Sequence, residues 1–146
     1  MEHQEIKSLL RQRYPFLLVD RVLEVGDTHV TGVKNITASD TGLQGHFDDE
    51  PIYPGVLLVE AMSQVGGILL ALKGNVARRG YLAKIDKVRF VKFLQPGDQV
   101  VMRAERVHEM GSLARVRIAA HIMGTPVADA EITYVLRDAP HRREEN

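Results

Sequence analysis

The chain has 146 residues, 45% of them hydrophobic and 26% charged, with 19 basic against 19 acidic side chains. This length bounds it at one domain with a real core, and the charge balance excludes the basic excess of a dedicated nucleic-acid binder. No cysteine is present, which excludes disulfides, thiolate metal sites and a cysteine nucleophile, and suits a reducing, cytoplasmic setting.

The start, Met1 to Lys7, is polar and shows no apolar leader. Residues 4 to 12 are predicted to form a short amphipathic helix, with Ile6, Leu9 and Leu10 on one face, ended by Pro15. Phe16 to Val25 reads as a strand, Gly26-Asp27 as a turn, and His29 to Ile36 as a second strand with a bulge signal at Gly32. A loop rich in Gly, Asp, Thr and Pro covers Thr37 to Tyr53.

Pro54-Gly55 opens a strongly apolar helix that runs to about Lys73 and stops at Gly74-Asn75. It is long enough to raise a membrane span, but Glu60, Ser63, Gln64 and Gly66-Gly67 interrupt it, so a buried core helix is expected. Gly66-Gly67 is expected to allow close backbone contact. Four strands follow, at about Tyr81–Phe93, Gln99–His108, Leu113–Ile122 and Val127–Arg137, joined by Gly-containing turns. The charged end, residues 139–146, reads as a disordered tail beyond a single domain of residues 1–138. Strands joined by tight turns imply an antiparallel sheet. One sheet curled round one apolar helix, an α+β arrangement, is the simplest way to bury that helix.

Glu60 is the only ionisable side chain between Gly55 and Leu72. Burial disfavours the charged form of a carboxyl, so Glu60 is expected to act as a proton donor. His46 stands upstream in the loop, and a neutral imidazole is a natural base near pH 7. At the helix start the Gly55 and Val56 N–H groups lack helical partners and face a positive dipole end, so they suit a carbonyl gaining negative charge. Gln64, one turn beyond Glu60, can orient its carboxyl. The remaining histidines show no ligand spacing, and no metal or organic cofactor is expected.

His46-Phe47, Pro51, Pro54-Gly55-Val56-Leu57, Glu60-Ala61 and Gln64 together resemble the active-site segment of the hot-dog fold (3R)-3-hydroxyacyl-[acyl-carrier-protein] dehydratases, the FabZ type of bacterial fatty acid synthesis. Arg13-Tyr14-Pro15-Phe16-Leu17-Leu18-Val19-Asp20-Arg21, Ile85-Asp86 with Phe90, Pro96-Gly97-Asp98-Gln99 and Ala130 to Leu136 resemble that family's other signatures, in the same order. Asp48 and Gln12 depart from the family's usual Pro and His. The resemblance implies an antiparallel curved sheet round the helix, and dehydration of a 3-hydroxyacyl thioester with His46 as base and Glu60 as acid. It implies a role in fatty acid supply, with lipid A precursors as a related destination. It also implies that each site takes His46 and Glu60 from different subunits of a homodimer, with a hexamer as a trimer of dimers.

Such an enzyme needs an apolar tunnel, for which Leu57, Leu58, Met62, Ile85, Val88 and Phe90 are candidates, although each taken singly reads first as plain core. Lys84, Lys87, Arg89 and Lys92 form a basic run suited either to solvent or to docking an acidic acyl carrier protein and its phosphopantetheine phosphate; Arg78-Arg79 is a smaller pair of the same kind. Two other readings remain open at this level: a hot-dog acyl thioesterase, and a non-catalytic acyl-carrier binding subunit.

Overall fold

Helix α2, Gly55–Lys73, organises the molecule, and ten of its residues from Leu58 to Leu69 are buried. In the computed structural model, which describes residues 1–74 and 78–138, the element order is α1 (His3–Leu9), β1 (Arg21–Val25), β2 (His29–Asn35), a 3-10 turn (Thr41–Leu43), α2, β3 (Arg78–Phe90), β4 (Gln99–Met110), β5 (Leu113–Ile122) and β6 (Thr125–Asp138). The strands form one antiparallel sheet in the order β1-β2-β4-β5-β6-β3. Five of the six strands touch α2, which requires the sheet to curl round the helix. Asn75 of the expected capping pair and the expected tail at 139–146 lie outside the described residues.

Pro54 precedes α2 as its cap, and its carbonyl accepts the N–H groups of Leu57 and Leu58 at 3.0 and 3.1 Å. The period-2 pattern holds along β5, where Ala114, Val116, Ile118, Ala120 and Ile122 face inward and Arg115 and Arg117 are among the residues that alternate outward. Met62, Ile68 and Leu69 meet Met102, Ile118 and Ile132 in one continuous core. That burial answers the membrane question: α2 is apolar enough to cross a bilayer by composition, but the sheet already covers it.

Four elements differ from expectation, and β3 does so by running three residues early, Arg78–Phe90 in place of Tyr81–Phe93. The first helix stops at Leu9 because the Arg13 guanidinium takes the carbonyls of Lys7, Leu10 and Gln12, closing the end three residues early. The first strand starts at Arg21, not Phe16. The Phe16 carbonyl and Leu18 N–H bind the Gln64 side chain at 2.7 and 2.8 Å, replacing a strand partner. The bulge lies on β1 at Leu23, opposite the Gly32–Thr31 step, while Gly32 itself faces Val65 of α2, where a Cβ would come within 2.9 Å.

Gly66 has the close approach expected of the glycine pair. The Tyr134 hydroxyl donates to the Ser63 carbonyl at 2.7 Å, and a Cβ on Gly66 would lie 2.3 Å from that hydroxyl. Alanine improves helix propensity by about 1 kcal/mol, but overpacking costs about 1–3 kcal/mol. Gly66→Ala is therefore expected to lower stability in urea unfolding, and Tyr134→Phe in the same chain to recover part of the loss. Additive effects of the two substitutions would refute the contact.

Candidate functional site

The loop from Ile36 to Tyr53 is pinned at both ends to the sheet's connections. Ile36 N–H donates to the Asp98 carbonyl at 2.9 Å, and Tyr53 N–H to the Leu94 carbonyl at 2.8 Å. His46 sits between Gly45 (φ 72°) and Phe47 (φ 54°), two residues in the left-handed region. Such a backbone is unusual for phenylalanine and marks a strained, tightly defined turn. Asp48-Asp49 fill the next turn, closed by Glu50 N–H on the Phe47 carbonyl. Short acidic side chains suit that place.

The His46 Nδ1 atom lies 2.7 Å from the Ile52 carbonyl oxygen. A carbonyl can only accept, so Nδ1 carries the hydrogen and the neutral ring keeps its lone pair on Nε2. Half-buried His46 lines a cavity of about 220 Å³ with Phe47, Gly55, Leu58, Phe90 and Lys92. Gly55 brings the first turn of α2 to this cavity. The Gly55 and Val56 N–H groups have no partner among the described residues, as the start of a helix dictates. A Cβ on Gly55 would meet the Phe90 ring at 3.1 Å, so glycine lets that ring close the cavity's wall.

Glu60 faces elsewhere. It lines a second cavity of about 460 Å³, together with Ser63, Gln64 and Tyr134. Its Oε1 accepts from Gln64 Nε2 at 3.0 Å; the same amide group donates to Phe16 O, and Gln64 Oε1 accepts from Leu18 N–H. Gln64 is 2% exposed, with its amide fully used, so its orientation is fixed and it fixes one carboxyl oxygen of Glu60. Within the single chain Glu60 is half-exposed and not sealed as the apolar sequence suggested. Burial pushes the Tyr134 hydroxyl far above its usual range, so it stays a donor. Basic side chains ring this cavity: Lys7, Arg11, Arg13, Lys73, Arg78 and Arg79.

The tunnel candidates divide. Leu58 and Phe90 line the His46 cavity. Met62 is sealed in the core and lines neither cavity. Leu57 packs beside Gly42. Ile85 and Val88 stand on the edge strand β3, 40% and 38% exposed. Val56, whose N–H faces the helix entrance, points a 78% exposed side chain outward. Three of the four basic docking candidates already have acidic partners: Lys84 with Asp86, Lys87 with Glu131 and Arg89 with Asp129. Lys92 has none among the described residues and reaches the His46 cavity. Glu131 also binds Arg117 at 2.9 Å, which more than any other contact holds its carboxyl below the usual range.

Sequence reasoning missed Tyr53, Phe93 and Leu94 as cavity walls and the basic ring round Glu60. Of those cations only the Arg78-Arg79 pair is announced by a local run; the others come from α1, the following loop and the end of α2, far apart in sequence. Tyr53 carries a buried hydroxyl without a hydrogen-bond partner among the described residues. Burial, then the Asp40 and Asp20 carboxylates, keep it firmly un-ionised. A buried unpartnered hydroxyl costs about 1–3 kcal/mol, so Tyr53→Phe is expected to leave stability unchanged or raise it in urea unfolding. A loss would show that the hydroxyl has a partner after all.

A long apolar helix held in a curled antiparallel sheet, with a loop histidine beside the helix start, defines a hot-dog fold. A chain of the dehydratase heterocomplex from Xenorhabdus doucetiae shares this fold with TM-score 0.79 at 18% identity, covering 91% of each chain. A thioesterase from Pseudomonas aeruginosa shares it with TM-score 0.74 at 14% identity, covering 94% and 95%. The family model described as a FabA-like domain matches residues 10–134. The chain is 41% identical over 142 residues to the 3-hydroxyacyl-[acyl-carrier-protein] dehydratase FabZ of Listeria monocytogenes serotype 4b, covering 96% of this chain and 99% of that one. It is 42% identical over 135 residues to the same-named protein of Streptococcus pyogenes serotype M3, covering 92% and 97%. The chain therefore belongs to the FabA-like family, among the FabZ-type dehydratases.

Proposed function

We propose that this protein dehydrates (3R)-3-hydroxyacyl-acyl-carrier-protein to the trans-2-enoyl thioester in fatty acid biosynthesis, as a hydro-lyase. The observation that carries the residue assignment is the Nδ1–Ile52 hydrogen bond, which leaves His46 Nε2 as a lone-pair base in an apolar cavity beside the open end of α2. Nε2 takes a proton from C2 of the substrate. The Gly55 N–H, with Val56, holds the thioester oxygen as charge builds on it. The Glu60 carboxyl gives its proton to the C3 hydroxyl, which leaves as water when the C3–O bond breaks. The imidazolium then returns a proton to the Glu60 carboxylate, and both groups are reset.

In one chain His46 and Glu60 line separate cavities, so the reaction needs a second copy. The outer edge of β3 is unpaired, thirteen residues long and rich in exposed apolar side chains, including Leu82, Ile85, Val88 and Phe90. Such an edge calls for a covering strand. Two copies joined there by a two-fold axis bring the His46 cavity of each towards the Glu60 cavity of the other, and the homodimer is the working unit. Further assembly to a hexamer, a trimer of dimers, fits the same reading.

The partner is an acyl carrier protein bearing a phosphopantetheine-linked acyl chain, met in the cytoplasm. The basic ring round Glu60 gives its phosphate and acidic surface a better dock than the paired lysines of β3. Lys73→Glu/Arg79→Glu is expected to raise KM for the carrier-linked substrate about tenfold or more while leaving an N-acetylcysteamine thioester unaffected. Equal effects on both substrates would remove the ring from carrier binding.

The deciding experiment mixes subunits. His46→Ala and Glu60→Gln should each lower kcat by about a hundredfold or more, followed as hydration of a 2-enoyl thioester. Refolded together, they should recover up to a quarter of parental activity, because half of the dimers are mixed and each of those holds one intact pair out of two. Recovery that fails in verified mixed dimers would overturn the shared site. Thiol release without hydration would make the protein a thioesterase, and binding without turnover a carrier-binding subunit. Ile85→Lys/Val88→Glu should yield monomers by light scattering and abolish turnover.

A further inference from the structure

Beneath the loop that carries His46 lies a buried ion pair that no step of the reaction uses. Lys34, near the end of β2, donates from Nζ to Asp40 Oδ2 at 2.7 Å, with the two side chains 10% and 9% exposed. Desolvation of two such charges commonly cancels their attraction, so a pair of this kind is weak evidence of stabilisation and better evidence of a fixed geometry. The surroundings show which geometry. The other Asp40 oxygen, Oδ1, accepts the Gly42 N–H at 2.9 Å and starts the 3-10 turn. That turn passes its hydrogen bonds forward: Gln44 N–H to the Thr41 carbonyl and His46 N–H to the Leu43 carbonyl, each at 3.2 Å.

The same ammonium stands 5.6 Å from the centroid of the Tyr53 ring, within reach of a cation–π contact that a dry setting strengthens. Tyr53 closes the loop. It follows Ile52, whose carbonyl holds His46 Nδ1, and its ring packs on the turn, where a Cβ at Gly42 would lie 3.0 Å from it. One cation therefore touches both ends of the segment that presents the imidazole: Asp40 at its entry and Tyr53 at its exit. Lys34 and Asp40 line neither cavity, so neither touches substrate.

From this arrangement we infer that Lys34 and Asp40 are positioning residues for the dehydration, a charge clamp that holds the two ends of the loop together and thereby aims His46 Nε2. The inference rests on the reading of His46 as the base. It separates two roles of a buried pair. A purely structural pair matters for folding and is replaceable by a neutral pair of similar volume. A clamp is not, because the cation's grip on Asp40 and on the ring is the function.

The test uses the full-length protein with Lys34→Met/Asp40→Asn, which removes both charges, keeps an acceptor for the Gly42 N–H and fills the same space. Lys34→Met alone, which strands a buried carboxylate, serves as the comparison for stability. The double variant is expected to melt closer to the parent than the single one. Its kcat for hydration of a 2-enoyl thioester is expected to fall about tenfold or more with KM within about threefold, the split that marks lost alignment and not lost binding. In the free, nitrogen-labelled protein the His46 Nδ1–H resonance is expected to exchange slowly in the parent, held by the Ile52 carbonyl, and to broaden or exchange rapidly in the double variant. A well-folded double variant with parental kcat and a protected Nδ1–H would overturn the clamp. If the parent itself fails to turn over, the enzymatic reading falls, and the resonance alone still decides whether the pair holds the imidazole.

Discussion

Everything in this molecule follows from the need to cover a helix that is apolar on nearly all sides. A sheet has one inner face and cannot enclose a cylinder, so something else must close the remaining arc of α2. Here α1 and the extended segment 16–19 do so, with Ile6, Leu10, Leu18 and Val19 joining the core. That segment has no strand to bond with, and its backbone groups would be orphaned against an apolar surface. Gln64 resolves this by binding both Phe16 and Leu18. The Gln64 N–H left beside Glu60 is thus set by a folding requirement, and the carboxyl inherits its orientation from the way the core is sealed.

The same division of surfaces separates the chemistry. Glu60 leaves α2 on the arc closed by α1, whereas the first turn of the helix and His46 open on the side of Phe90 and Leu94. Glu60 is carried by the rigid helix and His46 by the loop that leads into it, and the two face different cavities. Within one chain the two cavities share no lining residue. The cations gather on Glu60's side because α1, the end of α2 and the start of β3 converge there. On the outward face of the sheet, by contrast, Arg117 and Lys87 share the Glu131 carboxylate.

Much of this was legible in the chain. The Pro-Gly start of α2, its length, and strands β4 to β6 follow from periodicity and turn residues, because those signals are local. The histidine and the glutamate stood out by residue type and setting. What was not legible depends on distant partners. Phe16 to Asp20 has the composition of a strand, and only a glutamine forty-odd residues away decides otherwise. The lysines of β3 read as free charges until the register with β6 sets Lys87 near Glu131 and Arg89 opposite Asp129. Lys34 reads as an ordinary strand lysine, since nothing nearby in sequence says that a loop folds over it. Glu60's half-open setting was hidden for a related reason: hydropathy describes the helix's neighbours along the chain, not the arc left open beside it.

The kink in β3 has a consequence for partner choice. Lys87 adopts φ 50°, and the strand carries an extra residue between Asp86 and Arg89, so its rim is bent midway. A straight strand from an unrelated protein meets that rim along only half its length. A shape that looks like an irregularity thus guards that rim against open-ended strand addition.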